Sequence, residues 1–430
     1  MPSFPHCGAL LLPLVAFGLL DLNGASAASD GNWPRWRGPH DNGVAGAGDY
    51  PVKWDAGTNI LWKAPLPGKG CSTPIVWNQR IFLTAPAAGE DAVLAFDWSG
   101  KMLWQTKLGA ERAGRHKNAS GSNPSPATDG RTVFVGFKSG RFAALDLDGK
   151  IRWQINIVDR FGPDTLFWDY GASPALTGKN VVVTRMHNGE SWLAAFDKET
   201  GELRWKTARN YETVRENDNG YTTPVVFSNQ GKEALLAWGG EHLTIHDAAD
   251  GRLLWSCGGF NPAGSANWPA VATPVIVGDI AVVAFGRNDR GMPRLHGIRL
   301  SGEGDVTATN RLWMRSNTGT FVPSPAADQG RVYLLRDKGE VECLDPATGA
   351  TLWGGAFPKA GANFYGSPVI AGGRLWAVRE DGAAFVAAID GKFELLAENS
   401  MGERVIATPV LVGHRVFMRG EKNLICLGAQ

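Results

Sequence analysis

Net charge is almost absent from this chain of 430 residues: 43 basic and 42 acidic side chains leave a formal +1. That balance excludes a global electrostatic pull toward nucleic acid or an anionic membrane. Cysteine is scarce, with five in all and no two adjacent, and the spacings match no zinc site. Long apolar runs are scarce too. The stretch from Gly8 to Leu20 is too short to cross a bilayer comfortably and is interrupted by Pro13. It is followed by Ala25-Ser26-Ala27, so it reads as the apolar region and small-x-small cleavage site of a signal peptide, although the segment before it holds His6 and no Lys or Arg. Cys7 precedes the apolar run and therefore cannot be a lipid-acceptor cysteine. The expected organisation is a signal peptide at 1–27, an N-terminal extension at 28–53 and a mature protein that is periplasmic or secreted, with no transmembrane segment. Motifs for linear-site chemistry are missing as well: no Gly-x-Ser-x-Gly elbow, no His-Glu-x-x-His, no Gly-x-x-x-x-Gly-Lys-Ser/Thr and no strand-turn-helix context for a dinucleotide. Catalysis would have to be assembled from scattered loop residues.

What the chain has in abundance is glycine (55) and tryptophan (17), arranged as a repeat. Eight times a Ser/Thr-Pro pair opens a run of alternating apolar residues: Thr73-Pro74, Ser125-Pro126, Ser173-Pro174, Thr223-Pro224, Thr273-Pro274, Ser324-Pro325, Ser367-Pro368 and Thr408-Pro409. The seven intervals average about 48 residues, the length of a four-stranded propeller blade. Most copies close with an Asp-containing, Gly-containing turn and a tryptophan: Trp104, Trp153, Trp205, Trp255, Trp313 and Trp353. Within the sixth copy, strands are read at Ser324–Ala327, Arg331–Arg336, Glu340–Asp345 and Ala350–Trp353, with Lys338-Gly339 and Thr348-Gly349 as hairpins. The proline costs little at a strand start, where no ladder partner is lost. Each closing tryptophan is expected to pack against the neighbouring blade.

The eighth copy ends at Gln430 without a fourth strand or tryptophan, while Asn59–Pro65, with Trp62, precedes the first copy as an orphan fourth strand. Pairing the two closes a ring and removes exposed sheet edges. The fold expected is therefore all-β, an eight-bladed propeller over 54–430 whose last blade is composite. Copy five carries an insertion at Arg287–Pro293 and Ser301–Thr307. Copy seven has Leu395 and Leu396 where a tryptophan belongs, so its contact with the next blade is expected to be weaker. Cys343 and Cys426 sit at equivalent strand positions two blades apart and are expected to be free and buried.

The pattern Ala-x-Asp-x-x-Thr-Gly-x-x-x-Trp, complete at Ala195 to Trp205 and degenerate at Asp97 to Trp104, Asp146 to Trp153, Asp247 to Trp255 and Asp345 to Trp353, resembles the tryptophan-docking motif of pyrroloquinoline-quinone-type (quinoprotein-like) β-propellers. The resemblance covers about residues 54 to 430, and the leader Trp33–Val44 looks like that of exported bacterial members. It implies either of two functions. One branch, the quinone- and Ca²⁺-dependent alcohol dehydrogenases, carries a vicinal disulfide that this chain lacks, and its metal ligands and catalytic Asp match no motif here. The other branch is similar to the outer-membrane assembly propeller lipoprotein, which binds proteins and does no chemistry; its lipid-acceptor cysteine is missing here.

The loops from one blade's last strand to the next blade's first gather on one face of a propeller, around the central channel. After Trp104, Trp153, Trp205 and Trp255 these loops run about 18 to 21 residues, against about 11 to 14 elsewhere. Their polar and aromatic residues, His116, Asn118, Trp168, Asp169, Tyr170, Glu216, Asn219, Tyr221 and Trp268, are the candidate binding set, since Trp, Tyr and Arg carry recognition energy. Ordinary solvated loops whose aromatics plug the channel mouth would look the same. The expectation is an exported binding scaffold of the cell envelope, a monomer with a protein or polymer partner and no catalytic or metal residues. No cofactor is expected, pyrroloquinoline quinone with Ca²⁺ entering only under the oxidoreductase alternative, which would act on alcohols or sugars.

Overall fold

The computed structural model describes residues 1–2 and 31–429; the expected signal peptide and Cys7 lie outside the described residues. Eight antiparallel sheets follow one another around an axis, each built in the order inner to outer strand. In blade one these strands are Ile75–Trp77, Arg80–Ala87, Glu90–Phe96 and Met102–Ala110. Blade eight consists of Val410–Val412, Arg415–Arg419 and Asn423–Leu427, completed by Ile60–Pro65 from the N-terminal side. Trp62 pairs with Cys426 and Ala64 with Leu424, so the composite closure expected from the sequence is present. Cys71, Cys257, Cys343 and Cys426 are free, the last three buried.

The Ser/Thr-Pro pair has a physical reason beyond strand initiation. In every copy the backbone N–H of the Ser or Thr donates to the hydroxyl oxygen of the equivalent residue in the following blade, from Thr73 N to Ser125 Oγ (2.8 Å) around to Thr408 N to Thr73 Oγ1 (3.2 Å). The result is a closed ring of inter-blade hydrogen bonds about the channel. It requires at each position a short side chain with an acceptor oxygen, which serine and threonine supply.

The rim carries a second belt. Trp62, Trp104, Trp153, Trp205 and Trp313 each donate Nε1–H to the carbonyl of the residue after the turn aspartate in the next blade, Trp98, Leu147, Lys198, Ala248 and Pro346, at 2.8–3.3 Å. The aspartate ties down the turn: Asp197 Oδ1, for example, accepts from the amides of Glu199 (2.9 Å) and Thr200 (3.0 Å). The turn glycine supplies both a positive φ and room. At Gly201 (φ +73°) a Cβ would lie 2.7 Å from the Trp153 ring, and at Gly251 (φ +76°) 2.4 Å from Trp205.

The belt is interrupted at Trp255 and Trp353, whose Nε1 has no partner among the described residues, and in copy seven, which has no tryptophan. The insertion of copy five adds a short parallel strand, Gly304–Asp305, to the outer edge of blade four at Trp255 and Ser256. Copy seven has no slot to fill, because the composite eighth blade has no turn between its third and fourth strands. The N-terminal segment packs against blade seven there and joins one hydrophobic cluster with blade eight. Buried Trp54 donates its N–H to Asn399 Oδ1 (3.0 Å), Asn399 Nδ2 returns a bond to Val52 O (3.0 Å), and Tyr50 meets Trp376 edge-on at 5.8 Å.

That segment closes the end of the channel opposite the loop face. Trp33 exchanges hydrogen bonds with Val76, Pro34 O accepts from Thr128 N, Asn42 O from Ala327 N, and Gly43 O from Ile370 N, so blades one, two, six and seven are all engaged. Arg37 is buried on the way, donating to Pro325 O (2.6 Å) and Pro368 O (3.1 Å). Burial lowers its pKa to about 9, against the raising influence of Asp41, which leaves it charged at neutral pH.

Blade five contains a pH-dependent element. His296 is fully buried, its Nδ1 hydrogen-bonded with Arg311 Nη1 (3.0 Å) and its ring edge-on to Phe260. Burial first, then the Arg311 and Arg294 charges, lower its pKa to about 3. The unfolded imidazole takes a proton below about pH 6.5 while the folded one does not until about pH 3, so stability is lost as pH falls through that window, at about 1 kcal/mol per pH unit. His246, lowered to about 4 mainly by burial, adds to the loss, and Asp91, raised to about 6 by burial, opposes it. Denaturant midpoints at pH 6.5, 5.5 and 4.5 should fall less steeply in His296→Gln than in the parent. Equal slopes would mean that the imidazole is already protonated in the fold.

Candidate ligand cavity at the centre of the loop face

The channel opens on the loop face as a cavity of about 430 Å³, within the range of small-molecule sites. Its floor is Trp36, from the segment that closes the opposite end. All eight hydroxyl residues of the inter-blade ring line its wall. The mouth is formed by His116, Asn118, Trp168, Asp169 and Tyr221 on one side and by Arg287, Asp289, Phe321, Asp337, Lys338 and Tyr365 on the other.

The acidic groups at the mouth are engaged. Asp169, at φ 120°, forms a buried ion pair with Lys138 and accepts from Arg115 N (2.8 Å) and His116 N (3.4 Å). Asp289 holds Arg287 through both oxygens, at 2.7 and 2.6 Å, and the guanidinium lies 4.5 Å over Phe321. Asp337 accepts from Phe321 N (2.8 Å) and Val322 N (3.0 Å); burial raises its pKa, against the lowering effect of those amides. Asn118 bridges Glu380 (3.3 Å) and Arg404 (2.6 Å), and Arg404 also reaches Glu380 at 2.7 Å.

His116 accepts Asn118 N–H at Nδ1 (3.2 Å), which places the proton of the neutral ring on Nε2. Burial, then Lys117, lowers its pKa, so the neutral ring is favoured. Its ring packs edge-on to Trp168 at 4.8 Å. Trp168 in turn is fixed by Tyr221 Oη, which accepts its backbone N–H (3.0 Å), and by Glu216 Oε1, which accepts its indole N–H (3.1 Å).

Of the nine candidate residues, the fold thus brings His116, Asn118, Trp168, Asp169 and Tyr221 to the cavity. The other four lie behind it. Tyr170 is turned inward, donating to Thr184 O (3.1 Å). Asn219 is buried, its carbonyl accepting from Ala270 N (3.1 Å). Trp268 is core, 1% exposed, between Phe285 and Arg294. Glu216 supports Trp168 instead of lining the wall. Loop length pointed to one half of the mouth and missed the other. The missed residues Asp289, Asp337 and Lys338 sit between second and third strands and Arg287 ends a second strand; those hairpins open on the same face, and that topology was a usable signal. Trp36 had none, because only the path of the leader places it under the channel.

Fold and cavity together define the quinoprotein-like class of eight-bladed propellers. A profile of the family described as outer membrane protein assembly factor BamB matches residues 43–189, 164–303 and 302–394, and the chain belongs to that family. Among curated relatives, BamB of Yersinia pestis is 23% identical over 324 residues, 73% of this chain and 74% of that protein. BamB of Burkholderia pseudomallei is 24% identical over 372 residues, 85% of this chain and 75% of that protein. Among solved structures, the quinohemoprotein alcohol dehydrogenase of Comamonas testosteroni superposes with a TM-score of 0.69 at 14% identity, covering 94% of this chain and 82% of its own. BamB of Moraxella catarrhalis superposes at 0.56 and 16% identity, covering 83% of this chain and 98% of its own. At these identities the structural likeness speaks to fold.

Proposed function

We propose that the protein is an exported, monomeric, non-catalytic scaffold of the cell envelope that takes part in outer-membrane protein assembly and docks a partner protein with its loop face. The observation that carries the reading is the chemistry of that face. Trp168 and Tyr221 stand at the mouth beside Phe167, which is 58% exposed, and the surrounding acids are committed to ion pairs and amides. One exposed and two partly exposed aromatic anchors on a rigid frame suit recognition. Family membership supports the assembly role, since the relatives are named for it.

The competing reading is an oxidoreductase using pyrroloquinoline quinone and Ca²⁺, favoured by the likeness to the dehydrogenase and by an indole floor under the cavity. The residues present fit that pair poorly. Among the described residues no three His, Cys, Asp or Glu side chains converge as a metal ion requires, and the three carboxylates at the mouth already have partners. One preparation distinguishes the readings. The tagged chain should co-purify with outer-membrane assembly proteins from envelope extract and bind the isolated component directly. Quinone absorbance retained after adding pyrroloquinoline quinone and Ca²⁺, together with dye reduction on alcohols or sugars, would replace the scaffold with an enzyme.

A further inference from the structure

The hydroxyl ring leaves a chemical residue that its structural role does not use. Each Ser/Thr oxygen accepts one backbone N–H, and among the described residues none of the eight donates its own proton to a protein acceptor. All eight line the lumen, and seven are buried to within a few per cent of full burial. A buried hydroxyl without an acceptor is costly, so these protons need an acceptor that comes from outside the protein. Other free groups facing the cavity have the same sense. His116 holds its proton on Nε2, Tyr365 Oη accepts from Asn363 Nδ2 (3.4 Å) and keeps its proton, and the exposed Lys338 brings an ammonium group to the mouth. Acceptors at the mouth are already occupied by the pairs described above.

Charge reinforces this. Beneath the floor, Arg37 lies 5.5 Å from the Trp36 ring centre, bonded only to two carbonyls, while the adjacent Asp41 is held by Arg35 at 2.9 Å. A buried guanidinium without a bonded carboxylate gives the closed end of the lumen a positive potential.

We infer that the lumen is a receptor for carboxylate groups, which enter from the loop face, take the unspent hydroxyl protons and sit over Trp36 toward the Arg37 charge. The carboxylates come either from a free organic di- or tricarboxylate or from acidic side chains of a protein segment inserted into the channel. The inference goes beyond the scaffold role and stands or falls without it.

The test uses the full mature chain, with tryptophan fluorescence and calorimetry at low salt and three probes: citrate, a hexapeptide of glutamates, and the uncharged polyol xylitol. Saturable binding of citrate identifies a free carboxylate as sufficient; saturable binding of the hexapeptide alone identifies an inserted acidic segment. In either case xylitol should not bind, and the double variant Lys338→Met/Tyr365→Phe, which removes donors at the mouth and leaves the ring intact, should weaken binding about tenfold or more. Arg37→Met should weaken it further; because that residue also bridges blades, its thermal midpoint is measured alongside, and the mouth variant decides if the fold is lost. Binding of neither anion, equal binding of xylitol, or unchanged affinity in the double variant would overturn the inference. Capture of the assembly partner by the same double variant reports separately on the scaffold reading.

Discussion

A chain lacking residues 28–66 is expected to lose cooperative folding altogether. The deletion removes the outer strand Ile60–Pro65 and exposes the edge of Asn423–Leu427, leaving its ladder unpaired. It also removes Trp33, Tyr50 and Trp54 from a hydrophobic cluster that includes residues of blades one, seven and eight, and takes away Arg37, which bridges blades six and seven. Burying a large aromatic is worth roughly 3–5 kcal/mol, so three of them together with a strand amount to about 10 kcal/mol or more, comparable with the whole stability of an ordinary domain. Circular dichroism and a thermal scan check this directly. A truncated protein that melts cooperatively at the parental temperature would show that the ring closes without its composite blade. Trp62→Ala alone should lower stability by roughly 3–5 kcal/mol.

Two sets of aromatic substitutions should separate. Trp153→Ala and Trp205→Ala remove rings that fill the space over Gly201 and Gly251 and bond the next blade, so each should lower stability by roughly 3–5 kcal/mol. Trp168→Ala and Tyr221→Ala change the cavity mouth, and each should weaken partner binding by about 2 kcal/mol or more with a much smaller effect on melting. Tyr170 and Trp268 share the long loops with that second pair but belong by packing to the first: Tyr170→Ala and Trp268→Ala should melt early. Denaturant curves and binding titrations on the same preparations decide the matter. If the mouth variants bind at full strength, recognition lies elsewhere on the molecule.

The blade count, the composite closure and the docking tryptophans were legible in the sequence because each recurs. A repeat turns a weak local signal into a strong one: one Asp-to-Gly turn says little, and five, three with three residues between Asp and Gly and two with two, each followed by tryptophan four residues after the glycine, define a belt. The weaknesses came where the chain stops repeating. Leu395 read as a defect, although the composite closure itself implies that blade eight lacks the turn a tryptophan would need. Trp36 and Arg37 were legible only as part of a leader, since their positions depend on a crossing from blades one and two to blades six and seven. The cavity was half legible for a similar reason. Loop length drew the reading to His116, Trp168 and Tyr221, whereas Asp337 and Lys338 come from a tight hairpin whose face is known only once strand directions are fixed.

The composite blade also sets a clock on the protein's assembly. During synthesis Ile60–Pro65 emerges before every complete blade, and the strand it must pair with, Asn423–Leu427, emerges after seven of them. The bond that completes the inner ring, from Thr408 to Thr73, joins residues 335 apart in sequence. Seven blades can form as the chain appears, but the circle locks only after Asn423–Leu427 arrives, and the early strand must stay unpaired until then. A nascent chain stalled before Asn423–Leu427 would hold an almost complete ring of sheets with two open edges, the form most prone to pair with a neighbour.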